Sequence, residues 1–333
     1  MSIFVMSERN LMIKGSPIPV RIFEQGKRLF GGLNSGEMYC RFNNGELRAD
    51  FRGAWLQRHV QVLSLVAEAL GLLGSPTIPP FYVNLSDRPF ETRYRHFRTR
   101  FSLCSANGFA EVAAPDFVFS GWPEAKFDNY DRKTAAMAAA SENQAGDDRA
   151  FWAGRCINDA RKTTVQMASI WPDLLEAYDT QPGFDEATAQ YSGAFKTMEE
   201  QVSAYRYMID VEGLGYSGRF KLLLHTKRAV LLQERPWHEW FFADIEPFRH
   251  YVPVARDMSD LPERIEWLRA NPKMESEIAG EAQQFARTRL TRSAAVAAWA
   301  ELLEDHIAAG GNLKSGLQKR QRAKKPRRTE PTG

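Results

Sequence analysis

Residues 208–224 read MIDVEGLGYSGRFKLLL, and this stretch decides the fold. Met208, Ile209 and Val211 suit a buried strand, Gly213, Gly215 and Gly218 cluster where the chain turns, and Phe220, Leu222, Leu223 and Leu224 open an apolar helix behind Arg219. A strand, a glycine-rich turn and a helix carrying an arginine form half of a βαβ unit. The helix N-terminus offers unpaired N–H groups and partial positive charge, and glycines let an anion come close to the backbone. The spacing is neither a Walker loop nor a GxGxxG fingerprint, so on these residues alone a tight turn and an anion site both stay open.

Working outward, YRYMIDVEG, RFKLLLHTK and AVLLQE make a strand–helix–strand unit, the signature of a parallel sheet. Before it, FWAGR reads as a strand end and DARKTTVQMASIW as a helix. After it come HYVPV, then DLPERIEWLRANP with a capping-box spacing from Asp260 to Glu263, and helices over 274–290 and 293–309. The N-terminal half opens with strands near 18–23, 38–42 and 47–51, followed by a helix with Leu56, Val60, Leu63, Val66 and Leu70 on one face. FYVNLSD, running to Asp87, suits a parallel strand, and FSLCSANG and DFVFSGWPE read as later strands or their ends. The alanine-rich segment from Thr134 to Asp148 has little to anchor it and marks the domain boundary. The expected organisation is α/β: domain 1–145, domain 146–313 with a ligand cleft between the two, and a tail over 314–333.

The 333 residues, 44% hydrophobic and 26% charged, describe a soluble globular chain. No apolar run is long enough to span a bilayer, and the opening MSIFVMSERNLMIKG lacks the pattern of a secretory signal. Cys40, Cys104 and Cys156 are odd in number and far apart, which points to a reducing cytoplasm and away from metal-ligand spacing. The net charge of +3 is uneven: residues 314–333 carry eight Lys or Arg and one acid, leaving the rest of the chain net acidic. That tail suits either attraction to an anionic membrane surface or nucleic acid, or a merely solubilising role.

The stretch from Tyr205 to Leu268 resembles the core of glycosyltransferase family 90, the group of capsule-associated xylosyltransferases and protein O-glucosyl- and O-xylosyltransferases. The resemblance rests on Gly213–x–Gly215–Tyr216–Ser217–x–Arg219, on VLLQE ending at Glu234, on the EWFF cluster and on HYVPV. Looser matches upstream are YVNLSD ending at Asp87, DFVFSGWPE around Trp122, and FWAGRCINDAR with Gly154 and Arg161. Arg155 stands where the better-known eukaryotic members carry a small hydroxyl residue.

The resemblance implies a GT-B fold of two Rossmann-like domains and an inverting, metal-independent transfer of glucose or xylose from a UDP-sugar. It implies Asp87 as the base on the acceptor hydroxyl. Gly154, Arg161, Gly215, Tyr216, Ser217, Gly218, Arg219 and Glu234 fall on the donor side, and Trp122 at the cleft. A metal-free enzyme needs cations and N–H donors on the leaving diphosphate, and guanidinium groups match phosphate geometry. Eukaryotic members work in the secretory pathway with disulfides. This chain reads instead as bacterial and cytoplasmic, peripheral to the inner membrane through the basic 314–328 segment. The acceptor expected is a glycan or glycolipid such as lipopolysaccharide core; nucleic acid is not an expected partner. Two rivals stand: a metal-dependent GT-A transferase using Asp210 and Glu212, and a non-catalytic polyanion-binding protein acting through the tail.

Overall fold

The computed structural model describes residues 7–9, 16–24, 35–53, 56–74, 77–90, 99–180 and 196–313, so the basic tail lies outside the described residues. The chain divides into two compact units. The first takes the described residues up to Tyr130, returns for Pro236–Ala243, and takes those from Thr291 on; the second holds Asp131–Arg235 and Asp244–Leu290.

The first unit is built on a mixed sheet in the order β1-β2-β4-β3-β5-β6-β7. Its strands are β1 (Ser7–Arg9), β2 (Val20–Glu24), β3 (Glu37–Asn43), β4 (Glu46–Phe51), β5 (Ile78–Asn84), β6 (Arg100–Ser102) and β7 (Val112–Ala113). β3 and β4 form a hairpin through Asn44 and Gly45, both at positive φ. FYVN was expected in a parallel strand; β5 is antiparallel to β3 on one edge and parallel to β6 on the other. Helix α1 (Leu56–Leu72) buries Leu63, Val66 and Leu70 of the stripe read from the sequence, leaves Leu56 and Val60 only half-buried, and buries Val62 and Leu65 beside them. DFVFSGWPE does not form a strand. It makes two 3-10 turns, Phe117–Phe119 and Pro123–Ala125, because the Asp116 carboxylate caps the Val118 N–H at 3.2 Å and Pro123 has no N–H to give a ladder.

The second unit is a five-stranded, wholly parallel sheet in the order β12-β11-β10-β8-β9. The strands are β8 (Asp147–Gly154), β9 (Leu175–Asp179), β10 (Tyr205–Asp210), β11 (Ala229–Gln233) and β12 (Val252–Val254). The alanine-rich segment is not slack: alanine is the best helix former, and α2 (Tyr130–Ala140) buries Tyr130, Thr134 and Met137. Helix α3 (Asp159–Ile170) follows β8, and α4 (Met198–Ala204) leads into β10 under a Thr197–Glu200 capping box. The helix expected after Arg219 is a single turn, α5 (Phe220–Leu223), all four residues buried. With every residue of that turn buried, there is no exposed polar face to sustain a longer surface helix, and residues 224–228 turn before β11 begins at Ala229. At α6 (Leu261–Ala270) the expected capping box is absent. Asp260 instead accepts the Ala255 N–H at 2.7 Å and pairs with Arg264 at 3.0 Å. Helix α7 (Pro272–Arg289) closes the unit, while α8 (Arg292–Ala308) belongs to the first. There the α8 residue Trp299 meets Phe101 edge-on at 5.2 Å and donates its indole N–H to the Pro115 carbonyl at 3.0 Å.

Candidate functional site

In chain order the second sheet runs 2-1-3-4-5, so its winding reverses between β8 and β10. In open parallel sheets a ligand crevice lies outside the carboxyl ends of the strands at that point. The loops after β8 and β10 meet there, and the sequence ties them together. Asn158 caps α3 by accepting the Arg161 N–H at 3.0 Å, and its amide donates to the Glu212 and Gly213 carbonyls at 3.0 and 2.8 Å. Arg161 donates to the carbonyls of Glu212 at 2.7 Å and Arg155 at 3.0 Å. Gly213 has a local reason: a Cβ there would stand 3.2 Å from the Tyr216 carbonyl and 3.6 Å from the Arg161 guanidinium.

Asp210 ends β10 with no exposed surface, and cations crowd it. Its carboxylate accepts the Ser217 hydroxyl at 2.7 Å, pairs with Arg235 at 2.7 Å, and lies 3.7 Å from Arg219. Arg219 also donates to the Ala153 carbonyl at 2.8 Å, which joins the β10 loop to β8. Trp152, fully buried, is the floor beneath two guanidinium groups: Arg161 and Arg219 lie 5.5 and 5.9 Å from its ring centre. Gly154 is required by that floor, since a Cβ would approach the Trp152 ring to 2.8 Å. Burial above all, and then the neighbouring Arg219, push Arg161 down to about 10; burial likewise lowers Arg219. At about 10, Arg161 stays charged at neutral pH.

The structure thus brings Gly154, Arg161, Ser217 and Arg219 together beyond the ends of β8 and β10, with Gly215 and Tyr216 buried in the same loop and the Gly218 carbonyl accepting the Lys221 ammonium at 3.2 Å. Glu234 falls otherwise: its side chain is exposed, while the next residue, Arg235, points inward to Asp210. The single turn of α5 also removes the dipole reasoning, because the macrodipole grows with helix length; the positive charge here comes from arginines. The metal motif read at Asp210 and Glu212 loses its first ligand, since both Asp210 oxygens are held by guanidinium and hydroxyl groups. Sequence reasoning missed Asn158 and Arg235. The first carried an N-cap signal before DAR, the second a strand-alternation signal.

In the first unit, Asp87 follows β5 with its side chain one-third exposed and its carboxylate 3.0 Å from Arg58 of α1. Arg58 lies over the Phe117 ring at 4.5 Å, and Phe117 meets Trp122 edge-on at 6.2 Å, so one chain of contacts joins Asp87 to Trp122. Behind Asp87 lies a buried polar cluster. Asn84 accepts the Ser86 N–H at 2.9 Å and donates to the Arg88 carbonyl and to Glu111 at 3.0 and 3.2 Å, while Arg100 pairs with Glu37 at 2.5 Å.

The sequence matches Glycosyl transferase family 90 over residues 57–324. The chain belongs to this family. Within glycosyl transferase family 90, it is 29% identical over 220 residues to human Protein O-glucosyltransferase 3, covering 63% of this chain and 43% of that one. To human Protein O-glucosyltransferase 1 it is 31% identical over 229 residues, 62% of this chain and 56% of the other. Uncharacterized protein 035R of Invertebrate iridescent virus 3 is 28% identical over 237 residues, 61% of this chain and 21% of that one. The chain spans about half the length of the human relatives, or less. Among solved structures, the C-terminal domain of a glycosyl transferase group 1 family protein (LpcC) from Francisella tularensis aligns at TM-score 0.33 and 14% identity, over 47% of this chain and 97% of that one, too weak a likeness to argue from. No described helix is long and apolar enough to cross a membrane.

Proposed function

We propose that this member of glycosyl transferase family 90 is an inverting, metal-independent transferase that moves glucose or xylose from a UDP-sugar to a hydroxyl acceptor. The observation that carries the reading is the gathering of three arginines at the switch point: Arg219 and Arg235 pair with Asp210, and Arg161 binds the Glu212 carbonyl in the next loop. A diphosphate is the anion that such a crevice suits, and fixed cations stabilise the charge that grows on it as the sugar leaves. Arg219 faces the leaving group. Arg161 and Asn158 hold the two loops in register, and Arg161 adds charge.

Asp87, oriented by Arg58, takes the proton of the acceptor hydroxyl. The hydroxyl oxygen then bonds the anomeric carbon as the carbon–oxygen bond to UDP breaks. A GT-B arrangement assigns the acceptor side to the first unit and the donor side to the second. The relatives' name speaks for glucose as the first sugar to try and a protein hydroxyl as an acceptor to set beside the glycan or glycolipid read from the sequence. A bacterial lipopolysaccharide acceptor, a cytoplasmic location and the membrane role of the tail are part of the proposal.

The test is calorimetric titration of UDP in EDTA, followed by release of UDP from UDP-glucose and UDP-xylose with glycan acceptors. Binding by the wild type that collapses in Arg219→Ala, with turnover lost in Asp87→Asn at unchanged UDP affinity, is the expected result. Wild-type protein that binds UDP only when Mn²⁺ is added would overturn the metal-free mechanism.

A further inference from the structure

Arg235 is the most enclosed of the three arginines. Its side chain is 2% exposed, and its Nη2 donates to Asp210 at 2.7 Å. Its Nε and Nη1 are buried without a hydrogen-bond partner, although buried N–H donors nearly always find one. Those two nitrogens are closed off from solvent, so a ligand does not reach them as the site stands. The residue is therefore kept for its charge, and that charge is spent on Asp210. Arg219, by contrast, is 13% exposed and stands 3.7 Å from the same carboxylate. A carboxylate between two guanidinium groups neutralises mainly the nearer one.

We propose that Arg235 is a positioning residue that neutralises Asp210 and so leaves the charge of Arg219 for the donor's diphosphate. Without Arg235, the buried carboxylate turns on Arg219, the only other arginine paired with it among the described residues. It then holds that guanidinium as a closed ion pair, and the crevice loses its surplus charge although Arg235 never touches the ligand. Asp210 cannot simply be dropped from the fold, because it also fixes the Ser217 hydroxyl at the turn of the loop. Asparagine keeps that acceptor and removes the charge.

This rests on the donor-site reading, and one experiment separates the two. UDP is titrated calorimetrically, in EDTA, into wild type, Arg235→Met, Asp210→Asn and the double variant, with a thermal melt on each. Expected is about a tenfold loss of UDP affinity in Arg235→Met, the scale of coupling between close charge pairs. Recovery to within about threefold of wild type is expected in the double variant, where no carboxylate remains to capture Arg219. Asp210→Asn alone binds more tightly than wild type. A merely structural arginine lowers and restores the melting temperature in the same order while leaving UDP affinity unmoved in the folded variants.

Failure of wild type to bind UDP overturns the donor site itself. Wild-type binding with Arg235→Met unchanged, or with a double variant as weak as Arg235→Met, overturns the role of Arg235 alone. Where Arg235→Met does not fold, Arg235→Lys and Asp210→Asn decide: retained affinity in the first with a gain in the second supports the assignment, and a loss in Asp210→Asn refutes it.

Discussion

Glu111 gives the sharpest pH prediction, and it concerns the loop that carries Asp87. The residue is 1% exposed and shares Arg100 with the equally enclosed Glu37, so two carboxylates compete for one cation away from water. Burial first, against the opposing help of Asn84, Phe90 and Arg100, pushes Glu111 up from 4.5 to about 7, with Glu37 adding to the rise. In the unfolded chain the carboxyl returns to its ordinary value. Below about 4.5 both states carry the proton and the contribution to stability is complete; as pH rises through about 7 the folded state gives the proton up and the contribution is lost. At about 1.4 kcal/mol per pH unit, the span from 4.5 to about 7 comes to about 3 kcal/mol.

Glu111→Gln keeps an acceptor for Asn84 and cannot ionise. Hydrogen exchange of the β5 and β6 amides, compared between wild type and variant at each pH so that intrinsic rates cancel, reads the difference directly. The wild type is expected to lose protection relative to the variant by roughly a hundredfold between pH 4.5 and 7.5, the equivalent of about 3 kcal/mol. Parallel protection curves would refute the raised titration of Glu111.

Two other substitutions test the crevice. Gly154→Ala forces a methyl group to 2.8 Å from the fully buried Trp152 ring and should cost about 1–3 kcal/mol, read as a lowered thermal midpoint; an unchanged melt contradicts the close approach. Asn158→Ala removes the α3 cap and the tie to Glu212 and Gly213, with an expected loss of about 1–2 kcal/mol. It should also weaken UDP binding, and an effect on stability alone would mean that the loop register does not matter to the ligand.

The second sheet was largely legible because parallel strands buried on both faces read as short apolar runs, as in Tyr205–Asp210 and Ala229–Gln233. The spatial gathering of Gly154, Arg161, Ser217 and Arg219 was legible in part, because they stand out by type and spacing, and the fold brings them together after β8 and β10. Arg235 was passed over for Glu234 because a carboxylate at a strand end draws the eye. Period-two alternation from the buried Gln233 puts Arg235, not Glu234, on the inward side. Two failures have deeper causes. DFVFSG has the composition of a strand, and only the Asp116 cap turns it into a 3-10 turn. That α8 packs in the first unit depends on partners two hundred residues earlier, such as Glu68 and Ser64 against Arg292, which no local pattern records.

That return of α8 has a consequence for synthesis. Phe101 and Phe81 are translated early, but the helix that brings Trp299 and His306 to them comes last among the described elements. At about 5–20 residues per second, the ribosome takes roughly ten to forty seconds to travel from β6 to α8. For that interval the apolar side of the first sheet waits without its cover while the second unit is being made. The nascent chain therefore presents chaperones with a defined client surface, one that vanishes when the final helix emerges.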